Sequence, residues 1–221
     1  MKLVIFDCDG TIVDSRHNIT AAMTHAFQAN GLVPPTAPEV LSIVGLSLPE
    51  TFQVLAGDKP LAVQQALAHH YRDAFLSGAL RERAAEPIFK GLRETIEALA
   101  RRPDVVLGVA TGKSKRGVAR LFDNEGWHGH FHTIQTADDH PSKPHPSMIL
   151  KAMAEAGTEP ERTVMIGDTT FDVTMALNAG VSALGVSWGY HARDLLAEAG
   201  AHAIVDDGHR LLEAIDTALS G

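Results

Sequence analysis

Two pairs of aspartates stand where short apolar runs stop. Asp7 and Asp9, two residues apart, follow Leu3-Val4-Ile5-Phe6; Asp168 and Asp172, four apart, follow Thr163-Val164-Met165-Ile166-Gly167. In extended chain, residues two apart project to the same side, so Asp7 and Asp9 share a face while Cys8 points away. Gly10 then permits a sharp turn that aims backbone amides at a ligand. Such a pair can hold Mg²⁺. It can also divide labour, one carboxylate attacking phosphorus while the other handles the leaving group's proton. The plainer reading is an Asp-Gly turn that closes a strand.

The second pair, in Gly167-Asp168-Thr169-Thr170-Phe171-Asp172, enters a helix, and four residues make about one helical turn, so both acids can face one point. Helix capping by Asp168 or Thr169, with Asp172 in the first turn, is the default for such a segment. The combination shifts the balance, because carboxylates converging on one sheet edge repel each other strongly without a divalent cation. Thr111-Gly112 opens a helix after another apolar run and offers a hydroxyl with free backbone amides. Lys143 lies in Ser142-Lys143-Pro144-His145-Pro146, a rigid turn that suits a fixed charge. Hydroxyl, amides, lysine and Mg²⁺ together form a cradle for a transferring phosphoryl group.

These residues must be positioned by strands. Val105-Val106-Leu107-Gly108-Val109-Ala110 joins the two runs above in being apolar at nearly every position and in ending at an oxygen-bearing residue, Thr111. Continuous apolar runs suit strands buried on both faces, and helical patterns separate the later ones, so the expected fold class is α/β with a parallel sheet. Ligands of such sheets sit beyond the carboxyl ends of the strands, where all three oxygen residues fall. Ala183-Leu184-Gly185-Val186-Ser187 and Ala203-Ile204-Val205 read as further strands, preceded by helix stops at Gly180 and Gly200. A short helix spans Phe171 to Ala179. A last helix, Arg210 to Ala218, docks on the sheet through Leu211, Leu212, Ile215 and Leu219. From about Ser15 to Pro87 there is no strand-like run, only helical spacing such as Ile19, Ala22, Met23, Ala26 and Phe27, and a second set from Lys59 to Leu76. That is too much chain for one crossover helix. It is expected to form a small all-helical lid, residues 16–87, over a core of residues 1–15 and 88–221.

The set Asp7-Cys8-Asp9-Gly10-Thr11, Thr111-Gly112, Lys143-Pro144 and Gly167-Asp168-x-x-x-Asp172 resembles the four motifs of the haloacid dehalogenase superfamily, in order and across nearly the whole chain. The match is to its subgroup with a helical cap inserted after the first strand, on a Rossmann-like core. The resemblance implies that Asp7 is the nucleophile that forms an aspartyl-phosphate, and Asp9 the general acid and base that also offers its backbone carbonyl to Mg²⁺. Thr111, Gly112 and Lys143 would bind the phosphoryl oxygens, with Lys143 also steadying Asp7. Asp168 would be a direct Mg²⁺ ligand, and Asp172 a ligand through water or a partner that orients the others. Dehalogenases of the superfamily lack an acid two residues after the nucleophile, so Asp9 favours phosphoryl transfer. The layout, including Thr111-Gly112-Lys113-Ser114 and Lys90-Gly91, is most similar to phosphoglycolate-phosphatase-like hydrolases. The implied activity is hydrolysis of small phosphomonoesters. The rivals are a mutase similar to β-phosphoglucomutase and a phosphoacceptor module without turnover. The cap residues Val44-Gly45-Leu46-Ser47 are expected to line the substrate end. No arginine stands there to grip a substrate carboxylate, although Lys113, Arg72 or Arg81 could supply the charge.

Composition narrows the partners. With 45% hydrophobic and 21% charged residues over 221 positions, the chain can build a core. Nineteen lysines and arginines against 27 acids give a net charge of −8, which disfavours nucleic acid and anionic membranes. One cysteine, Cys8, excludes an internal disulfide. The N-terminus is too short in apolar residues for a signal peptide, and no later run has the length of a membrane span. A cytoplasmic enzyme, monomer or homodimer, is the expectation. His128, His130 and His132 alternate but read as polar residues of a loop after the helix that follows Thr111. Cys8 reads as a small buried hydrophobe. Lys113, Lys115 and Arg116 read as a solvated helix face, with Lys113 nearest the cradle and able to attract an anion.

Overall fold

The computed structural model describes residues 1–76 and 85–220. Six strands form one sheet in the order β3-β2-β1-β4-β5-β6, every neighbouring pair parallel. They are β1 (Lys2–Phe6), β2 (Val105–Thr111), β3 (Phe131–Thr136), β4 (Thr163–Gly167), β5 (Ser182–Val186) and β6 (Ala203–Val205). Five of the six coincide with the apolar runs. Alternation along β1 explains why those runs are continuous. Leu3 and Ile5 pack on one face with Met148, Ile149, Met165 and Val173, while Val4 and Phe6 pack on the other with Ile96, Leu99, Val118 and Ile215. A strand with cores on both sides needs apolar residues at every position.

The face that holds Val4 and Phe6 is covered by α5 (Leu92–Ala100), α6 (Lys115–Glu125) and α10 (Leu211–Ala218). The opposite face is covered by α7 (Ser147–Ala156), α8 (Thr170–Asn178) and α9 (Arg193–Glu198). Gly126 and Gly157 end α6 and α7 in the left-handed conformation, which glycine adopts without a Cβ penalty.

β3 is a correction to the expected loop at residues 128–132. Phe131 and His132 belong to a strand, and burial alternates along it, with Phe131 and Thr133 inside and His132 and Ile134 outside. The reason is its place at the sheet edge, where a strand carries the mixed pattern Phe-His-Thr-Ile-Gln-Thr. His128 pairs instead with the exposed Asp123 in the turn before it.

Between β1 and α5 lie α1 (Arg16–Ala29), α2 (Ala37–Leu41), α3 (Leu48–Ala56) and α4 (Leu61–Leu76). They enclose an apolar cluster of their own that includes Ile19, Met23, Phe27, Val40, Phe52 and Leu67. The chain leaves the core and returns to it side by side: Val13 bridges Ile88, and the Asp14 amide donates to the Pro87 carbonyl at 2.9 Å. No helix among the described residues is long and apolar enough to cross a membrane.

Leu107, in the interior of β2 and buried, tests the sheet core. Leu107→Ala is expected to lower unfolding free energy by about 2–5 kcal/mol in urea titrations; a loss below about 1 kcal/mol would contradict its placement in that core.

Candidate active site

The carboxyl ends of β1, β2 and β4 meet at one point. Asp7 leaves β1 with its amide donating to the Ile166 carbonyl at 2.9 Å, which ties it to β4. Asp7, Asp168 and Asp172 are fully buried, and each offers an oxygen within 4.8 Å of the others. Lys143 reaches into the cluster, its Nζ 2.6 Å from Asp172 Oδ1 and 3.1 Å from Asp7 Oδ1. The ammonium is buried with the acids it faces.

Each member is oriented by its own local structure. Asp172 does both of the things open to it. It completes a capping box at the start of α8, accepting from the Thr169 amide and hydroxyl at 3.1 and 2.7 Å, and it turns its other oxygen to Lys143. Asp168 accepts from the Thr11 hydroxyl and from the Tyr190 amide, both at 2.8 Å. The backbone at Gly10 and Gly189 passes so close that a Cβ at either would fall 2.2 Å from Asp168 atoms. Asp7 is different: although Lys143 stands beside it, neither of its carboxylate oxygens makes a well-directed hydrogen bond. Buried carboxylate oxygens are rarely left this way unless another ligand engages them. The oxygen-only donor set and the orphaned Asp7 oxygens fit Mg²⁺.

The electrostatics follow. Burial pushes the Asp7 carboxyl up to about 6, Lys143 pulling against the rise and Asp172 adding to it. Asp168 is pushed well above the usual carboxylate range by burial, and further by Asp172 and Asp7. Burial works against the charge of Lys143, but Asp172 and Asp7 outweigh it and hold the ammonium above the ordinary lysine range.

Asp9 sits apart from the three. Its carboxylate turns toward the helical segment, where Oδ1 accepts from the Ser15 hydroxyl and from Lys113 Nζ at 2.6 Å. Thr111 is buried beside Asp7, and Gly112 lies under the 44–47 loop, with the Gly45 carbonyl 2.8 Å from where a Cβ would stand. Val44, Gly45, Leu46 and Ser47 line a cavity with Asp7, Asp9 and Thr111. Cys8 is buried in an apolar cluster with Val4, Phe6 and Ile12.

Lys113 corrects the reading of a solvated basic face. It precedes α6, is mostly buried, and is paired with Asp9 and, at 3.7 Å, with Glu86. The residues that pin Asp9 and Asp168 from afar escaped sequence reasoning. Ser15 also meets the Tyr190 hydroxyl, and His191 donates to the Ser42 carbonyl at 3.0 Å, so the 187–191 loop joins core to helical segment. Ser15, Tyr190 and His191 belong to no recognisable spacing. Lys113 carried a signal, being two residues from Thr111, but a run of neighbouring cations hid it. Arg72 lines the cavity; Arg81 lies outside the described residues.

A parallel doubly covered sheet with an acid cluster and a lysine beyond its strand ends defines an α/β fold whose ligand site lies at the carboxyl ends of the strands. The family model described as haloacid dehalogenase-like hydrolase matches residues 4–186, and the chain belongs to that family. It is an enzyme, a hydrolase. It is 36% identical over 207 residues to "Probable phosphatase IndB" of Dickeya dadantii, covering 92% of this chain and 89% of that one. It is 32% identical over 215 residues to a phosphoglycolate phosphatase of Pseudomonas putida, covering 96% and 78%. In fold it is similar to a "predicted phosphatase" from Clostridium acetobutylicum, with a TM-score of 0.86, 24% identity and 98% of each chain covered.

Two outcomes test this geometry. Asp7 keeps a proton in the folded state up to about pH 6 that the unfolded chain loses near its ordinary 3.8, so its contribution to stability falls as pH rises through that window. In chelator, Asp7→Asn should therefore melt above the parent at about pH 7 and lose that advantage by about pH 4; an equal difference at both would refute the buried, proton-holding carboxyl. Gly189→Ala must displace Asp168, and calorimetric Mg²⁺ titration should show affinity reduced about tenfold or more. Unchanged affinity would remove Asp168 from the candidate metal ligands.

Proposed function

We propose that the enzyme is a Mg²⁺-dependent phosphatase that hydrolyses small phosphomonoesters through an aspartyl-phosphate on Asp7. The observation that carries this reading is the Asp7 carboxylate, buried, without hydrogen bonds and 3.1 Å from the Lys143 ammonium. A nucleophile needs such free oxygens, and the lysine offers a fixed positive charge for phosphoryl oxygens. Sequence similarity to proteins named phosphatase supports the same class.

In this reading Asp7, Asp168 and Asp172 would hold Mg²⁺, with Asp9 offering its backbone carbonyl. The bound ion would offset the crowded negative charge and polarise the phosphoryl group. An Asp7 oxygen attacks phosphorus, and the bond from phosphorus to the leaving oxygen breaks as Asp9 delivers its proton to that oxygen. Asp9 then takes a proton from water, whose oxygen displaces Asp7 from phosphorus and frees inorganic phosphate. Thr111, the Gly112 amide and Lys143 hold the phosphoryl oxygens throughout. Asp9 reaches the leaving group by exchanging its contacts with Lys113 and Ser15. The helices of residues 16–87 act as the cap of a core made of 1–15 and 88–221, excluding bulk water over the reacting centre. The partner is a small phosphate ester, without nucleic acid or membrane, in a cytoplasmic monomer or homodimer.

Phosphate release from a panel of phosphomonoesters, with Mg²⁺ and with EDTA, tests this reading. Release should need the metal and vanish in Asp7→Asn while circular dichroism stays unchanged. Retained turnover in the variant would overturn the nucleophile, and conversion of a sugar phosphate to its isomer with little free phosphate would identify a mutase.

A further inference from the structure

The cavity does not end where a phosphoryl group would sit. Its volume is about 830 Å³, within the roughly 300–1,000 Å³ typical of sites for sizeable organic ligands. From Asp7, Asp9 and Thr111 it continues between the helical segment and α6, which presents Arg116, Arg120 and Asn124 to it at one-turn intervals. At 1.5 Å per residue that wall alone runs about 12 Å. The opposing wall is apolar, with Ile19, Met23, Leu46, Tyr71 and Phe75, the last two rings 5.3 Å apart. A two-carbon leaving group such as that of phosphoglycolate would occupy only the inner end.

Charge along the cavity is also uneven. Glu50 is held by the Ser47 hydroxyl, Glu86 by Asn18 at 2.8 Å and by Lys113, Glu125 by Arg93, and Asp138 by the Lys115 amide at 2.9 Å. Lys113 is committed to Asp9. Arg72, Arg116 and Arg120 form no ion pair or hydrogen bond among the described residues, though all three line the cavity. Each of these carboxylates has a donor within the protein, whereas the donors of the three guanidinium groups have no partner among the described residues and are available to an anionic ligand. Guanidinium groups suit carboxylate and phosphate by their forked donors.

Resting on the reading that Asp7 accepts the phosphoryl group, we propose that the substrate is a phosphomonoester whose leaving group is an apolar, ring-sized body bearing a second anionic group. The ring lies against Tyr71, Phe75 and the aliphatic wall. The second anion meets Arg116 and Arg120, one turn apart on α6. The bond that breaks is still that between phosphorus and the ester oxygen, and the hydroxy compound departs with the proton of Asp9.

Steady-state phosphate release in Mg²⁺ from phosphoglycolate, phenyl phosphate, 4-carboxyphenyl phosphate and 1,4-phenylene bisphosphate tests this, with Asp7→Asn as blank. Phenyl phosphate should exceed phosphoglycolate in kcat/KM. A para carboxylate or phosphate should add about tenfold, the scale of one charge-assisted contact, and the two arms tell which anion is preferred. In a variant carrying both Arg116→Gln and Arg120→Gln, the ratio of the anionic to the plain phenyl ester should fall to about one. Phosphoglycolate turned over as well as the aryl esters, or a ratio untouched by the arginine changes, would overturn the inference while leaving the phosphatase standing. Release from none of the four above the blank would overturn the phosphatase reading and the inference with it.

Discussion

Three buried carboxylates converge at one point, two of them on the Lys143 ammonium, and their mutual repulsion is the constraint on which the rest of this structure depends. Asp7 and Asp168 lose solvation and gain like-charged neighbours, two effects that both disfavour their ionisation. Lys143 offsets part of the surplus charge and is itself tolerable in the interior only because the acids surround it. What keeps the acids from swinging apart is the scaffold: β1 and β4 in register, the capping box of α8, and the close glycine backbone around Asp168. The acids are held where they repel, and a cation at that point is the relief the geometry invites.

Much of this is legible in the amino-acid sequence. Runs such as Leu3-Val4-Ile5-Phe6 are diagnostic because a strand with a core on each face tolerates no polar position, and an acid directly after such a run must emerge at the sheet's end. β3 was not legible, because an edge strand half open to water carries an alternation easily taken for a loop. The role of Asp172 was ambiguous for a sound reason: a cap and a cluster member need the same residue at the same place, and here it is both. Lys113 departs from the solvated face its neighbours suggest, since sequence neighbours share composition but not environment. Lys115 is exposed beside Asp139, while Lys113, two residues earlier, lies inward against Asp9.

Asp9 belongs to a different neighbourhood from the acid two residues before it. Its partners, Ser15 and Lys113, stand where the core meets the helical segment, and Tyr190 reaches the same serine from the loop that also supplies an amide to Asp168. Two short segments of chain thus connect the carboxylate cluster, Asp9 and the helices around the cavity. His191 extends that link to the Ser42 carbonyl. Both Asp9 and Asp168 are therefore tied, through the 187–191 loop, to the helices around the cavity.

The paired strands of chain at Val13 and Ile88 carry a consequence for how such an enzyme can diversify. Because the ends of the helical segment are already side by side, the sheet experiences everything between them as a tight turn. The entropic cost of closing a connection grows only slowly with its length, so the core is nearly indifferent to what is hung there. A longer, shorter or differently folded module could replace these helices with the sheet, the acid cluster and Lys143 left in place, and only the chemistry of the cavity wall would change.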